Sequence, residues 1–218
     1  MVLRRGAASG HDRVRFHIDR FEDVSFPDEA FDAVFSATAF HWLDSQVSWR
    51  KVSSHLKPEG LLALLTHTSG RDERSAEAEE GFRALLREYA PSVAAGWPPP
   101  RDLETLLAEA KQSSGNVSEV WDWVMGDGRH RLTNPEAAQL FKDVDVTAVV
   151  SDVERTADEL LAHFRTTSLY FQIEPDKRQA FEDADRKLIE AGGGSVHFSA
   201  AIVLVTAVRF GELHTPRA

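Results

Sequence analysis

Residues 26–44 read FPDEAFDAVFSATAFHWLD, and residues 56–66 read LKPEGLLALLT. Phe31–Ser36 is a compact, nearly unbroken apolar run, the pattern of a strand buried on both faces within a parallel sheet. Pro27 breaks any regular element ahead of it. Ser45–Leu56 then places Val47, Trp49, Val52 and Leu56 at helical spacing, with Asp44 as N-cap. Lys57-Pro58-Glu59-Gly60 has the chemistry of a stop and a turn. Leu61–Thr66 is a second short apolar run. Strand, helix, turn and strand predict a βαβ unit with a right-handed crossover.

Outward from this unit, Val14–Ile18 alternates apolar and polar residues and predicts a short strand. Arg74–Tyr89 carries Phe82, Leu85, Leu86 and Tyr89 on one stripe and predicts an amphipathic helix with an acidic start. Pro91 and the prolines of 96–100 predict an extended connection, and Asp102–Lys111 predicts a helix. Across 112–134, rich in Gly, Ser and Asp, Trp121 and Trp123 stand two apart as on a strand. Val144–Arg155 alternates valines and predicts a strand, followed by helices over Ala157–Thr167 and Pro175–Ala191. Glycines 192–194 close the second of these, and Val196–Val208 predicts a last strand. The whole is α/β: parallel units early, and strand, helices, strand late, pairing antiparallel at the end of the chain. A single domain over 1–218 is expected, with 74–135 as a helical and loop insertion.

With 218 residues, 42% of them hydrophobic, the chain can bury one substantial core. A formal charge of −10 argues against nucleic acid as a partner. Cysteine is absent, so thiol nucleophiles, disulfides and thiolate metal sites are excluded together. No run reaches the length of a membrane span, and MVLRRGAASG lacks the apolar block of a signal peptide. The expectation is a cytoplasmic protein without membrane or nucleic-acid partners. The nine histidines include no H-x-x-x-H or H-E-x-x-H arrangement, so no metal site is predicted. Residues 126–130, GDGRH, lack the acidic spacing of a calcium loop.

In open α/β sheets ligands sit beyond the carboxyl ends of the parallel strands. Past Phe31–Ser36 stand Ala37, Thr38, Ala39, Phe40, His41 and Trp42, and past Leu61–Thr66 stand His67 and Thr68. Small residues at 36–39 admit a ligand close to backbone, and the aromatics offer flat walls. A cationic ligand gains ~0.5–2 kcal/mol against such a wall. Taken alone, Phe40, His41 and Trp42 suit packing at the start of a helix better than a ligand wall. Glu22 and Asp23 suit a solvated loop, and Trp121 and Trp123 suit either a lid or a pocket wall.

The order of FED (21–23), FPDEAFDAVFSATAFHWLD (26–44), LKPEGLLALL (56–65) and ERTADELLAHFRTTSLY (154–170) resembles the class I S-adenosylmethionine-dependent methyltransferases. The nearest branch is that of trans-aconitate methyltransferase. Members show P-x-x-x-F-D-x-V-x-S on the fourth strand, an H-W beyond it and L-x-P-x-G before the fifth. The resemblance implies a Rossmann-like sheet with helices on both faces and S-adenosylmethionine as cofactor. It implies a small-molecule acceptor, a carboxylate, hydroxyl or amine, with the 74–135 insertion on the acceptor side. Arg20, Phe21 and Glu22 then fall in the loop against the adenine, and Ser36, Ala37 and Thr38 border the methionine portion. Phe40, His41 and Trp42 face the acceptor. A carboxylate acceptor needs no base, whereas a hydroxyl or amine would use His41 as catalytic base.

Relatives open with a strand, a G-x-G turn, a helix and a second strand ending in an acidic residue. Only Met1–Arg13 precede Val14 here, against roughly 30 residues for a βαβ unit. The expectation is an N-terminally truncated sheet lacking its first two strands. Phe31–Ser36 would then be an apolar edge prone to self-association, and cofactor affinity would be weakened. A non-catalytic remnant, acting as a binding or inert domain, is therefore the alternative to an enzyme. Another doubly wound α/β enzyme is disfavoured, because no phosphate-binding glycine loop or nucleophile elbow occurs.

Overall fold

The computed structural model describes residues 15–95, 101–112, 115–125 and 133–211. Its first unit is the expected one: β1 (Phe31–Ala37), α1 (Ser45–His55) and β2 (Leu56–Ser69), with β1 and β2 parallel. Asp44 caps α1, its carboxylate accepting from the Gln46 N–H at 2.9 Å, a contact worth about 1 kcal/mol. Trp49 and Val52 of α1 pack with Leu62 and Leu64 of β2 in the main core.

Lys57–Gly60 does not form a separate turn. Phe31 pairs with Leu56 and Ala33 with Leu61, so residues 57–60 bulge opposite Asp32 alone and β2 runs on through them. Glu59 takes the left-handed conformation (φ 62°) that turn chemistry assigns to glycine. Gly60 is required for another reason: a Cβ there would lie 2.8 Å from the Lys57 carbonyl oxygen. The Leu56 carbonyl accepts from Arg209, which ties the bulge to the last strand.

The sheet order is β1-β2-β4-β3, with β4 (Ser195–Arg209) antiparallel both to β2 and to β3 (Phe141–Thr156). Between β2 and β3 come α2 (Ala76–Tyr89), α3 (Pro91–Ala94), α4 (Leu103–Gln112), α5 (Val117–Met125) and α6 (Ala137–Leu140). Between β3 and β4 come α7 (Ala157–Phe164), α8 (Ser168–Phe171) and α9 (Arg178–Ala191). Pro91 begins α3 rather than an extended stretch, since proline at a first helical position loses no hydrogen bond. Residues 96–100 and 126–130 lie outside the described residues, so neither the proline run nor GDGRH is placed. The strand reading of Trp121 and Trp123 is corrected: both lie on α5, where Val117, Val120, Trp121 and Val124 are fully buried. Their spacing is that of one helical face.

Side-chain alternation divides the sheet. Leu62, Leu64 and Thr66 of β2 share a face with Val203, Val205 and Ala207 of β4, and that face is buried under α1, α4, α5 and α6. The opposite face carries Phe35, Leu61, Ile202 and Val149 exposed at the surface. A second core of Leu86, Val93, Phe164, Ile173 and Phe181 joins α2 and α3 to α7 and α9. β1 is an edge strand among the described residues and Phe35 is 62% exposed, so burial on both faces is not what the run 31–36 meets. The strand expected at Val14–Ile18 does not form over 15–18. Phe16 and Ile18 are exposed there, and an alternating segment becomes a strand only where a neighbour accepts its backbone hydrogen bonds. Among the described residues no helix is long and apolar enough to cross a membrane.

Candidate functional site

Chain direction brings the ends of β1 and β2 to one rim. Ser36 is half-buried there, and Ala37, Thr38 and Ala39 are exposed. Thr38 has φ 50° and its N–H donates to the Leu65 carbonyl at 2.8 Å, which holds the chain against β2 as it leaves the sheet. A β-branched residue in the left-handed region is strained by about 1–2 kcal/mol. Such strain concentrates at functional positions. Thr38→Gly is accordingly expected to stabilise the fold by about 1 kcal/mol, after allowing for the added freedom of the unfolded chain. Urea unfolding checks it, and a lower midpoint for the variant contradicts the strain.

Beyond Ala39 the chain makes a single 3₁₀ turn, Phe40–Trp42, and its three aromatics part company. Phe40 does not line the rim. It is 1% exposed and packs 4.7 Å from the Trp49 ring and 6.5 Å from Trp121, because the turn directs it into the main core. His41 is 8% exposed, with its ring 4.9 Å from that of Trp42. Trp42 stays 58% exposed and is the only flat wall of the three that solvent reaches.

The loop holding Arg20, Phe21 and Glu22 closes on itself through N–H groups of Asp23 and Val24 donating to the Arg20 carbonyl. It docks on the start of α1. Glu22 accepts the Asp44 N–H at 3.1 Å, and Lys51 donates to the Glu22 carbonyl at 2.7 Å while lying 5.5 Å over the Phe21 ring. Hydrogen bonds from its own N–H and that of Asp44 lower the Glu22 pKa, with Arg20, 3.6 Å away, adding to them. Glu22 is thus a docked residue rather than a solvated one, and the loop and the β1 exit are held through the same helix start.

At the end of β2 stands a group that the sequence left undecided or missed. The His67 ring lies 6.4 Å from that of His163 on α7. Packing around the His67 ring, and then the neighbouring His163, lower its pKa. Beside them Arg155, Glu159, Leu160, His163 and Phe198 line a cleft of about 250 Å³. The one sequence signal for this part is Thr156-x-x-Glu159, a capping box that starts α7 and is formed as such. A separate apolar hollow of about 220 Å³ follows the edge of β1, lined by Phe21, Phe26, Phe31, Ala33, Val34, Val52 and His55.

Residues 2–64 match the family model described as a methyltransferase domain. A candidate type II methyltransferase from Anaeromyxobacter dehalogenans superposes with a TM-score of 0.52 at 17% identity, over 94% of this chain and 74% of its own. The chain has a class I methyltransferase fold. The YcgJ protein of Bacillus subtilis aligns at TM-score 0.41 and 17% identity, over 91% of this chain and 72% of its own. A candidate methyltransferase from Bacillus halodurans aligns at 0.40 and 14%, over 91% and 73%. No curated protein sequence matches the chain. Within this methyltransferase fold, the 20–22 loop docks on the start of α1, and the exposed residues 37–39 leave β1 beside the end of β2.

Proposed function

We propose that this chain uses the β1–β2 rim for methyl transfer from S-adenosylmethionine to a small-molecule acceptor. The observation that carries the reading is the exit from β1: exposed small residues at 37–39, held to β2 through a strained Thr38, within a methyltransferase fold. Arg20, Phe21 and Glu22 would lie toward the adenine, Phe21 through its ring and Glu22 through backbone, since its carboxylate is engaged with Asp44. Ser36, Ala37 and Thr38 would border the methionine portion. When bound, this cofactor would supply an electrophilic methyl group for transfer to the acceptor, with the carbon–sulfur electron pair remaining on its sulfur.

The chain's own part is positioning, which supplies roughly 7–11 kcal/mol in well-oriented reactions. Trp42 suits a wall for a sulfonium or an acceptor. His41, buried beside it, suits holding Trp42 in place better than taking a proton from solvent. The described residues of 74–135 would roof the acceptor side, in a cytoplasmic setting. The test is the melting temperature across a titration of S-adenosylmethionine, since a ligand at a hundred times its dissociation constant stabilises by about 2.7 kcal/mol. A saturable rise is expected, reduced by Thr38→Pro. An unchanged melting temperature at millimolar cofactor defeats the reading.

A second reading has its own observation. β1 is an unpaired edge among the described residues, beside an apolar face bearing Phe35, Leu61 and Ile202. Such edges recruit other chains. A self-associating binding domain without catalysis would show concentration-dependent mass and no cofactor shift.

A further inference from the structure

The cleft between α7 and the paired strands β3 and β4 lies close to the rim. Thr38 bonds to the Leu65 carbonyl, and His67 stands two residues further along β2, roughly 7 Å at strand rise. His163 is 6.4 Å beyond, ring to ring. Alternation puts His67, Phe198 and Arg155 on the same sheet face: His67 pairs with Ile202, Ile202 with Val149, and Phe198 and Arg155 follow at even steps along β4 and β3. α7 then lays Leu160 and His163 over them.

The polar groups of the cleft are unevenly engaged. The Glu159 carboxylate is pinned at the start of α7, accepting from the Thr156 N–H at 2.9 Å and its hydroxyl at 3.0 Å. Arg155 reaches it only at 3.9 Å and keeps about half its side chain exposed. The imidazoles of His67 and His163 have no hydrogen bond or ion pair among the described residues. One guanidinium and the His163 imidazole therefore line a space walled by Phe198 and Leu160, with the His67 ring behind that of His163. A guanidinium offers a carboxylate two parallel donors, and the walls suit an apolar body. At about 250 Å³ the space lies below the range of drug-sized pockets.

We propose that this cleft binds a small carboxylate with a flat apolar body, its charge held by Arg155 and His163 and its body lying between Phe198 and Leu160. The proposal rests on the methyl-transfer reading only in making this carboxylate the acceptor; the binding itself needs no cofactor. A carboxylate is already a nucleophile, which fits a rim whose His41 is buried.

The experiment is a titration of the full chain with benzoate, without S-adenosylmethionine, following the histidine ring protons by NMR. The His67 and His163 signals, assigned with His67→Gln and His163→Gln, are expected to move together along one saturating curve. Benzamide, of the same shape without the charge, is expected to move neither. Arg155→Ala is expected to weaken benzoate at least tenfold with the circular dichroism spectrum unchanged, and Arg155→Lys to restore part of the loss. Equal shifts by benzoate and benzamide, a non-saturating drift, or a wild-type curve for Arg155→Ala each overturn the proposal. Cofactor binding is measured separately, so benzoate binding without a cofactor response overturns only the methyl-transfer reading. A cofactor response without benzoate binding overturns only the cleft.

Discussion

Asp185→Asn is expected to stabilise the protein by about 3 kcal/mol at pH 7 and by nothing at pH 3.5. Asp185 lies on the buried stripe of α9 with Phe181, Glu182 and Ile189, and is 5% exposed. It has no hydrogen-bond partner among the described residues. Burial pushes its carboxyl up to about 6 from 3.8, against a smaller pull from Arg186. Arg186 is itself engaged with Asp158 at 2.6 Å. A carboxyl whose folded pKa is raised favours folding only while it holds its proton. Below pH 3.8 both states are protonated and the group is neutral in effect. Between 3.8 and about 6 the unfolded chain ionises first, so stability falls as pH rises. Above about 6 the full penalty stands, on the order of 3 kcal/mol at 1.36 kcal/mol per pKa unit. Asparagine keeps the shape and never ionises.

Glu182, one turn away, shows the opposite arrangement. Its carboxylate accepts from the Arg165 guanidinium and from the Tyr170 hydroxyl at 2.6 Å, which lowers its pKa to about 2. Its contribution is present above pH 4.5 and is lost as pH falls below that, a window that barely overlaps that of Asp185. Urea unfolding of wild type and Asp185→Asn from pH 3.5 to 7.5 separates them. The gap between the two curves is expected to open between pH 4 and 6 and then stay constant. A constant gap throughout, or a variant less stable at pH 7, refutes the buried-carboxylate account.

Local chemistry predicted those parts of the fold that local chemistry determines. β1, α1 and its Asp44 cap, the apolar part of β2, and the two long strands β3 and β4 fall within a few residues of the readings from period and propensity. The errors arise where a distant partner decides. The residues Lys-Pro-Glu-Gly do turn the chain, but β1 on one side and Arg209 on the other capture that turn as a bulge within a strand. The Val-x-x-Val-Trp-x-x-Val face of α5 is present in the sequence, but two tryptophans at even spacing also match a strand period, and burial against the core selects the helix. Part of the candidate site was legible as well. The Ser36–Thr38 rim follows from strand direction alone. The His67–His163 contact does not, because it exists only once β4 has entered between β2 and β3 and α7 has folded back across the sheet face.

Phe40→Ala distinguishes a wall of the site from a piece of its foundation. As an acceptor wall the residue would be dispensable for folding. As observed, it is buried against Trp49, which in turn packs 6.3 Å from Phe141 at the start of β3. Removing a buried phenylalanine ring costs about 3–5 kcal/mol through lost transfer energy and the cavity left behind. The loss is expected to fall on global stability, because Trp49 links the rim turn to β3. Phe40→Leu, which keeps most of the volume, is expected to cost less than about 1.5 kcal/mol. Both are measured by urea unfolding with a parallel cofactor titration. With Phe40 in the core, the leucine variant retains whatever cofactor and benzoate response the wild type has, since Trp42 and Thr38 hold their places on an intact turn. If Phe40→Ala unfolds at the wild-type midpoint while ligand response disappears, Phe40 contacts ligand, and the packed turn described here is not the one that operates.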